Sequence, residues 1–316
     1  DTAALGSIII PMMKEQGYDE CFATNLTMTS SVQGLLIPPS HNMVMYAMVA
    51  GGVSVGRLFL GGIIPGVSLG LTLAVYCYFM AKKHNYPMGS PFNLKNAVRA
   101  IVDAFWGLVT LLIVVVGVVT GIVTATESAA LAVVWSLMVG FFVYKELTLI
   151  EAWHVLERAL GTLAIVMILI STSQVFGWLL TYLQMPQMIA DAILGLTSNK
   201  YAIMLILNLI MLFLGMIMDM SAIILVATPI LLPIAQSAGM DVVHFGVVMI
   251  LNLGIGLITP PVGGTLFVGS AVSGIPIERL CKTLWHQLLV MVGVLLVITY
   301  VPEIVMFLPN LIMPLN

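Results

Sequence analysis

Five apolar stretches, residues 58–80, 100–124, 128–144, 160–182 and 283–308, match or approach the roughly 20 residues that cross a bilayer core, and they carry almost no charge. Only 8% of the 316 residues are charged and 60% are hydrophobic, whereas soluble domains are about 25% charged. The runs do not alternate in polarity, as the strands of a membrane barrel would. The sequence therefore predicts an all-α polytopic membrane protein. The formal net charge of -3 says little, because in such a protein the side on which a charge lies matters more than the sum. Cys21, Cys77 and Cys281 form no CxxC pattern and read as small buried hydrophobes.

Within this apolar background sits "QGLLIPPSHN", residues 33–42, whose two prolines must interrupt any helix that contains them. A second such break occurs in "GIGLITPPVGG", residues 254–264. At a constant offset of 222 residues Pro11 falls on Pro233, Asp19 on Asp241, Gly34 on Gly256, Pro38 and Pro39 on Pro260 and Pro261, and Arg57 on Arg279. Gly17, Leu35, Gly52 and Leu58 match in the same register, so the chain contains an internal duplication.

In this register Asp1 falls inside the apolar segment 201–236, which "GMIMDMS" at 215–221 interrupts. Its two halves, roughly 15 residues each, read as too short to span, and so as a re-entrant hairpin. Residues 2–13 read as the returning arm of an equivalent first hairpin, and the N-terminal part of the protein is expected to be missing. Counting crossings through 20–50, 57–80, 97–124, 127–145 and 155–183 leaves Gly17 and Gly239 on opposite sides, which makes the repeats inverted. Lys14, Lys82, Lys83, Lys95, Arg99, Lys145, Arg158, Arg279 and Lys282 then share one side, with Arg57 and Lys200 on the other. The positive-inside rule makes the first side cytoplasmic. The expected organisation is a first transport repeat over 1–83, a linker over 84–96, scaffold helices over 97–200 and a second transport repeat over 201–316. The segment 184–199 reads as interfacial.

A helix broken in mid-membrane exposes backbone groups that lipid cannot satisfy, so it persists only where it is buried in protein or lines a cavity. Pro38 and Pro39 free carbonyls about one turn upstream, near Gly34 and Leu35, and such oxygens suit a hard cation. In inverted-repeat transporters, unwound carbonyls hold coupling ions and helix N-termini face anionic substrate.

"GLLIPPS" at 34–40, "GLITPPVG" at 256–263, "TATESAALA" at 124–132 and "LGMIMDMSAIILVATPILLP" at 214–233 resemble the large membrane subunit of tripartite ATP-independent periplasmic (TRAP) transporters, within the ion transporter superfamily. The resemblance covers essentially the whole chain and is strongest to the sialic acid transporters of that family. It implies an elevator-type secondary transporter of the bacterial inner membrane, coupled to Na+ and importing an organic anion. A periplasmic substrate-binding protein delivers the anion, and a small membrane subunit braces the scaffold. Carried over, one sodium site uses the backbone around Gly34, Ile37 and Pro39, completed by a first hairpin tip outside this chain. The other uses Gly215, Met218 or Asp219 with Gly256, Thr259 and Pro261. Ile37 falls on Thr259, so a side-chain oxygen is available only at the second site. Substrate is expected near Ser40, His41, Asn42, Asp219, Ser221, Gly263 and Thr265, where restarting helices favour an anion.

Asp219 is an ionisable group at membrane depth and so a functional candidate by default. Glu127 divides between helix capping and a site role. Asp103 and Trp106 read as interfacial anchors, and His154, His244 and His286 as residues facing headgroups. A TRAP or related transporter for C4-dicarboxylates is the nearest alternative. A membrane enzyme is disfavoured by the absence of an HExxH motif and of paired intramembrane aspartates, and a pure scaffold would not need two broken helices. No nucleotide-binding loop is present, and nothing suggests nucleic acid. Few buried carboxylates favour sodium over a proton relay.

Overall fold

The computed structural model describes residues 2–86, 93–197 and 199–314. These are helical, with no strand among the described residues, and seven segments are long and apolar enough to cross a membrane. The protein is an all-α, multi-pass membrane protein. It forms two compact units, residues 1–87 with 176–316, and residues 88–175. Much of the polar stretch read as a linker, residues 87–92, lies outside the described residues.

In the larger unit the first repeat comprises α1 (Thr2–Glu15), α2 (Glu20–Leu36), α3 (His41–Val49) and α4 (Val55–His84). The smaller unit holds α5 (Leu94–Val119) and α6 (Ala125–Met138), which a π-helical turn Val139–Tyr144 continues. Next along the chain is α7 (Leu149–Tyr182). Then come α8 (Met185–Leu196), the hairpin arms α9 (Lys200–Ile217) and α10 (Met220–Ser237), α11 (Val242–Leu257), α12 (Gly264–Ser273), α13 (Ile277–Tyr300) and α14 (Pro302–Ile312).

The duplication is visible in the helix boundaries and in the packing. The 222-residue offset maps α1 to α4 onto α10 to α13, and both broken helices begin on a matched aspartate cap. Asp19 Oδ1 accepts from Phe22 N at 2.8 Å, and Asp241 Oδ1 from Val243 N at 2.7 Å. Packing is reciprocal: α1 lies on α12 as α10 lies on α3, and α13 lies on α2 as α11 lies on α4. Val32 and Gly254, equivalent positions, meet each other, so the pseudo-twofold axis passes between them.

The bonds of two side chains establish that the repeats are inverted. Near the start of α2, Asn25 Nδ2 donates to Leu280 O at 3.0 Å and to Thr283 Oγ1 at 2.6 Å, near the start of α13. Near the start of α11, His244 Nε2 lies 2.8 Å from Ile298 O, near the end of the same helix. A 24-residue helix is about 36 Å long, so the equivalent helices begin at opposite ends of one membrane-length rod.

Three expectations change. The hairpin arms are 18 residues each, about 27 Å, and only Met218 and Asp219 separate them. Gly215, Met216 and Ile217 continue the first helix rather than interrupt it, so the arms are within spanning length. The run 283–308 is not one span: it breaks at Val301, and Pro302 opens α14, which packs on α4. There the buried Arg57 guanidinium donates to Met313 O and, at 2.9 Å, to Asn310 Oδ1. His244, finally, is 1% exposed, so its ring serves an interhelical bond instead of facing headgroups.

In the smaller unit α5 packs against α6. Ser128 Oγ donates to Ile113 O at 2.9 Å, and Trp135 Nε1 to Trp106 O at 3.1 Å. Glu127 accepts from Thr124 N at 2.8 Å while Thr124 Oγ1 accepts from Glu127 N at 3.2 Å. That reciprocal capping box accounts for the glutamate without a site role.

Candidate functional site

The second break is built by two helix ends that meet. The prolines at 260 and 261 have no N–H, so the carbonyls of Gly256 and Leu257 lose their ordinary helical donors. Gly256 O is recovered by Thr259 N at 2.9 Å; Leu257 O is not recovered by the helix. The amides of Val262 and Gly263, which in a continuous helix would bond Ile258 and Thr259, turn instead to Met216 O, each at 3.2 Å. The end of α9 thereby closes the gap in α11 and leaves the Thr259 carbonyl without a helical partner.

Gly215 and Gly256 make this approach possible. A Cβ on Gly256 would stand 2.6 Å from both Cα and C of Gly215, so the two backbones touch with no room for a methyl group. Gly263 has a φ of +50°, and the point its Cβ would occupy is 2.8 Å from Thr259 O and 3.1 Å from Leu257 O. Two carbonyls released by the break therefore point to one small space, whose other wall is Leu266 Cδ1 at 2.8 Å. Thr259 is buried, and its hydroxyl donates to Ile255 O at 2.6 Å, which leaves its oxygen lone pairs free to accept.

Gly215, Gly256 and Thr259 thus come together at the second break. Met218 and Asp219 stand at the exposed hairpin tip, where Asp219 Oδ1 caps α10 by accepting from Ser221 N at 2.9 Å. Pro261 is exposed and joined to Pro260 by a cis bond, as Pro39 is to Pro38. Met216 was not legible in the sequence as a site residue. It contributes through its carbonyl, which every residue type has, and only the meeting of two chain segments distinguishes it.

At the first break Gly34, Ile37 and Pro39 are exposed, Ile37 at 37% where its counterpart Thr259 is 7%. The Ile37 side chain lies against Gly66, and the Leu36 carbonyl against Gly62, both on α4. Among the proposed substrate residues, Ser40 and Asn42 are buried, and Ser40 Oγ and Asn42 Oδ1 have no hydrogen-bond partner. His41 is exposed, and Thr265 is half-buried at the start of α12. No hydrogen bond among the described residues links Ser40, His41 or Asn42 to Asp219, Ser221, Gly263 or Thr265. The two breaks are nevertheless neighbours, since Gly254 meets both Val32 and Leu35.

Inverted repeats, each with a helix broken at a Pro-Pro pair, define the membrane-embedded part of a transporter rather than an enzyme. A family model described as the DctM component of the tripartite ATP-independent periplasmic transporter matches residues 1–304. The chain belongs to this family, the large permease components of TRAP transporters.

It is 43% identical to the isethionate TRAP transporter permease protein DctMQ of Oleidesulfovibrio alaskensis, over 96% of this chain and 48% of that protein. It is 38% identical to the C4-dicarboxylate TRAP transporter large permease protein of Pseudomonas aeruginosa, over 98% of this chain and 72% of that one. To the sialic acid TRAP transporter large permease protein of Vibrio cholerae it is 36% identical, over 98% and 73%. The chain thus spans about half of the first of these relatives and under three quarters of the other two. Relatives named for three different anions lie within a narrow range of identity, so overall similarity does not choose among them.

Proposed function

We propose that the chain is the membrane-embedded permease of a sodium-coupled secondary transporter that imports a small organic anion by an elevator movement. The observation that carries the reading is the convergence of the Leu257 and Thr259 carbonyls at the second break. Uncharged carbonyl oxygens suit a hard monovalent cation better than they suit a proton relay, which needs titratable groups. For the anion, the starts of α3 and α12 supply positive dipole ends. Beside the start of α3, Ser40 Oγ and Asn42 Oδ1 are buried acceptors without a partner.

In this reading a periplasmic binding protein hands over the anion, and a small membrane subunit accompanies the permease in the bacterial inner membrane. The isethionate relative's name, DctMQ, is in keeping with such a subunit fused to the permease. Sialic acid, C4-dicarboxylates and isethionate share an anionic carboxylate or sulfonate, and they form the panel to be tried.

The test is uptake by the permease reconstituted with its partners, under an imposed sodium or proton gradient. A sodium gradient should drive uptake and sodium withdrawal should abolish it; uptake indifferent to sodium would overturn the coupling. Within the same assay Thr259→Val removes the buried side-chain oxygen of the second break. It should raise the sodium concentration for half-maximal uptake roughly tenfold, the effect of about 1.5 kcal/mol for a bond to a charged group. Ile37→Val should leave that concentration unchanged, and equal effects would refute the asymmetry between the two breaks.

A further inference from the structure

A cavity of about 410 Å³ opens between α2, α4 and α13, away from both breaks. Lys83 and His84 from the end of α4 line it, facing Lys282 and His286 from the first turns of α13. Asp19 is the acid among the lining residues, and one of its oxygens is held by the Phe22 amide at 2.8 Å. Glu20 lies nearby but is paired with Lys14 at 2.5 Å. Asn25 also lines the cavity; it is 1% exposed, and its Oδ1 has no hydrogen-bond donor although its Nδ2 is fully engaged. The cavity therefore has a cationic mouth, with the buried Asn25 amide tied into its wall.

The duplication supplies an internal control. At the 222-residue offset Lys83 and His84 correspond to Val305 and Met306, Lys282 and His286 to Leu60 and Ile64, and Asn25 to Val247. At the symmetry-related position apolar side chains are packed together: a Cβ on Gly61 would meet Val243, Val247 and Val305 at 3.2 to 3.4 Å. There the chain turns at Val301 and α14 fills the gap, whereas α4 runs straight through Lys83 and leaves it open. An open, cationic cavity is therefore a property of one copy and not of the architecture.

Beside the mouth, α4 exposes Tyr78 and Phe79, and α13 exposes Trp285 and Leu289. Aromatic side chains in this setting belong to the membrane interface, and basic pockets between helices there suit lipid headgroups.

We propose that this cavity seats the phosphate of an anionic glycerolipid of the phosphatidylglycerol class. The lysines and histidines hold the phosphate, and the acyl chains lie along the exposed apolar faces of α4 and α13.

The permease complex is purified and exchanged into detergent with equal phosphatidylglycerol and phosphatidylcholine, and retained lipid is measured by mass spectrometry. The wild type should keep phosphatidylglycerol in preference, and Lys83→Gln with Lys282→Gln should lower that retention roughly tenfold. Lys14→Gln, at the same end but outside the cavity, should match the wild type, and Lys83→Arg with Lys282→Arg should restore retention if the Gln pair proves misfolded. Unchanged retention in the Gln pair, an equal loss in Lys14→Gln, or failure of the Arg pair to retain the lipid would overturn the proposal. So would displacement of the lipid by millimolar inorganic phosphate, which would make the cavity a site for soluble anions.

Discussion

Alanine at position 256 lowers sodium-driven uptake by roughly 5-fold to 150-fold, the range that corresponds to about 1–3 kcal/mol of overpacking at a close contact. The methyl group would stand 2.6 Å from Gly215 Cα and C, and neither atom belongs to a side chain that can rotate away. The α9 end must then lift off α11, which stretches the bonds from Val262 N and Gly263 N to Met216 O. Those bonds hold the loop in which the Leu257 and Thr259 carbonyls converge, so the expected defect is a higher sodium requirement and not simply a loss of protein. Gly215→Ala should be milder, because its methyl meets Gly256 Cα at 3.1 Å and Leu253 O at 3.2 Å, distances that a small shift relieves. Gly264→Ala, whose methyl finds its nearest neighbour at 3.7 Å, should transport within about twofold of wild type. Measuring sodium half-saturation for the three variants checks the order, and a Gly256→Ala protein with an unaltered sodium requirement would remove the tip-to-break contact from the mechanism.

The elements legible in the sequence are those with a steric or hydropathic signature in the local residues. Proline pairs without amide hydrogens had to break α2 and α11, and an ungapped offset made the breaks equivalent. Asp19 and Asp241 then appear as matched helix caps. What escaped was decided by partners distant in the chain. The "GMIMDMS" stretch looked like a long interruption because glycine and aspartate disfavour helices in isolation. In the packed protein Gly215 stays helical because Gly256 lies against it, and only two residues form the tip. Val301 and Pro302 lay inside an apolar run of spanning length, and the end of α13 there depends on α14 finding Arg57 and Gly61 on α4. His244 followed an aspartate at a helix start, the pattern of a surface residue, yet Ile298 O takes its ring inside the bundle. The site divides in the same way: glycines, prolines and Thr259 could be named, whereas a carbonyl such as Met216 O has no signature of its own.

Adjacent glycines on α4 should respond oppositely to the same substitution. Alanine in a helix interior gains up to about 1 kcal/mol over glycine, which favours both replacements. At Gly61 the atoms nearest the new methyl belong to the side chains of Val243, Val247 and Val305, at 3.2 to 3.4 Å, and small rotations accommodate it. Gly61→Ala should therefore leave the thermal midpoint unchanged or slightly raised. At Gly62 the methyl overlaps the Leu36 carbonyl oxygen, a backbone atom at the last residue of α2, as well as the end of the Met43 side chain. Met43 can swing aside; Leu36 O cannot, because Pro38 and Pro39 follow it and Ile37 N already holds Gln33 O at 3.1 Å. Overpacking against a fixed atom costs about 1–3 kcal/mol, more than the helix gains, so Gly62→Ala should lower the midpoint. Because the atom displaced belongs to the break, uptake should fall further than stability alone accounts for. Thermal unfolding of the purified permease and uptake at a temperature where both variants remain folded separate the two effects. A Gly62→Ala protein as stable and as active as Gly61→Ala would show that the Leu36 carbonyl is free to move, and that α4 does not hold the first break in place.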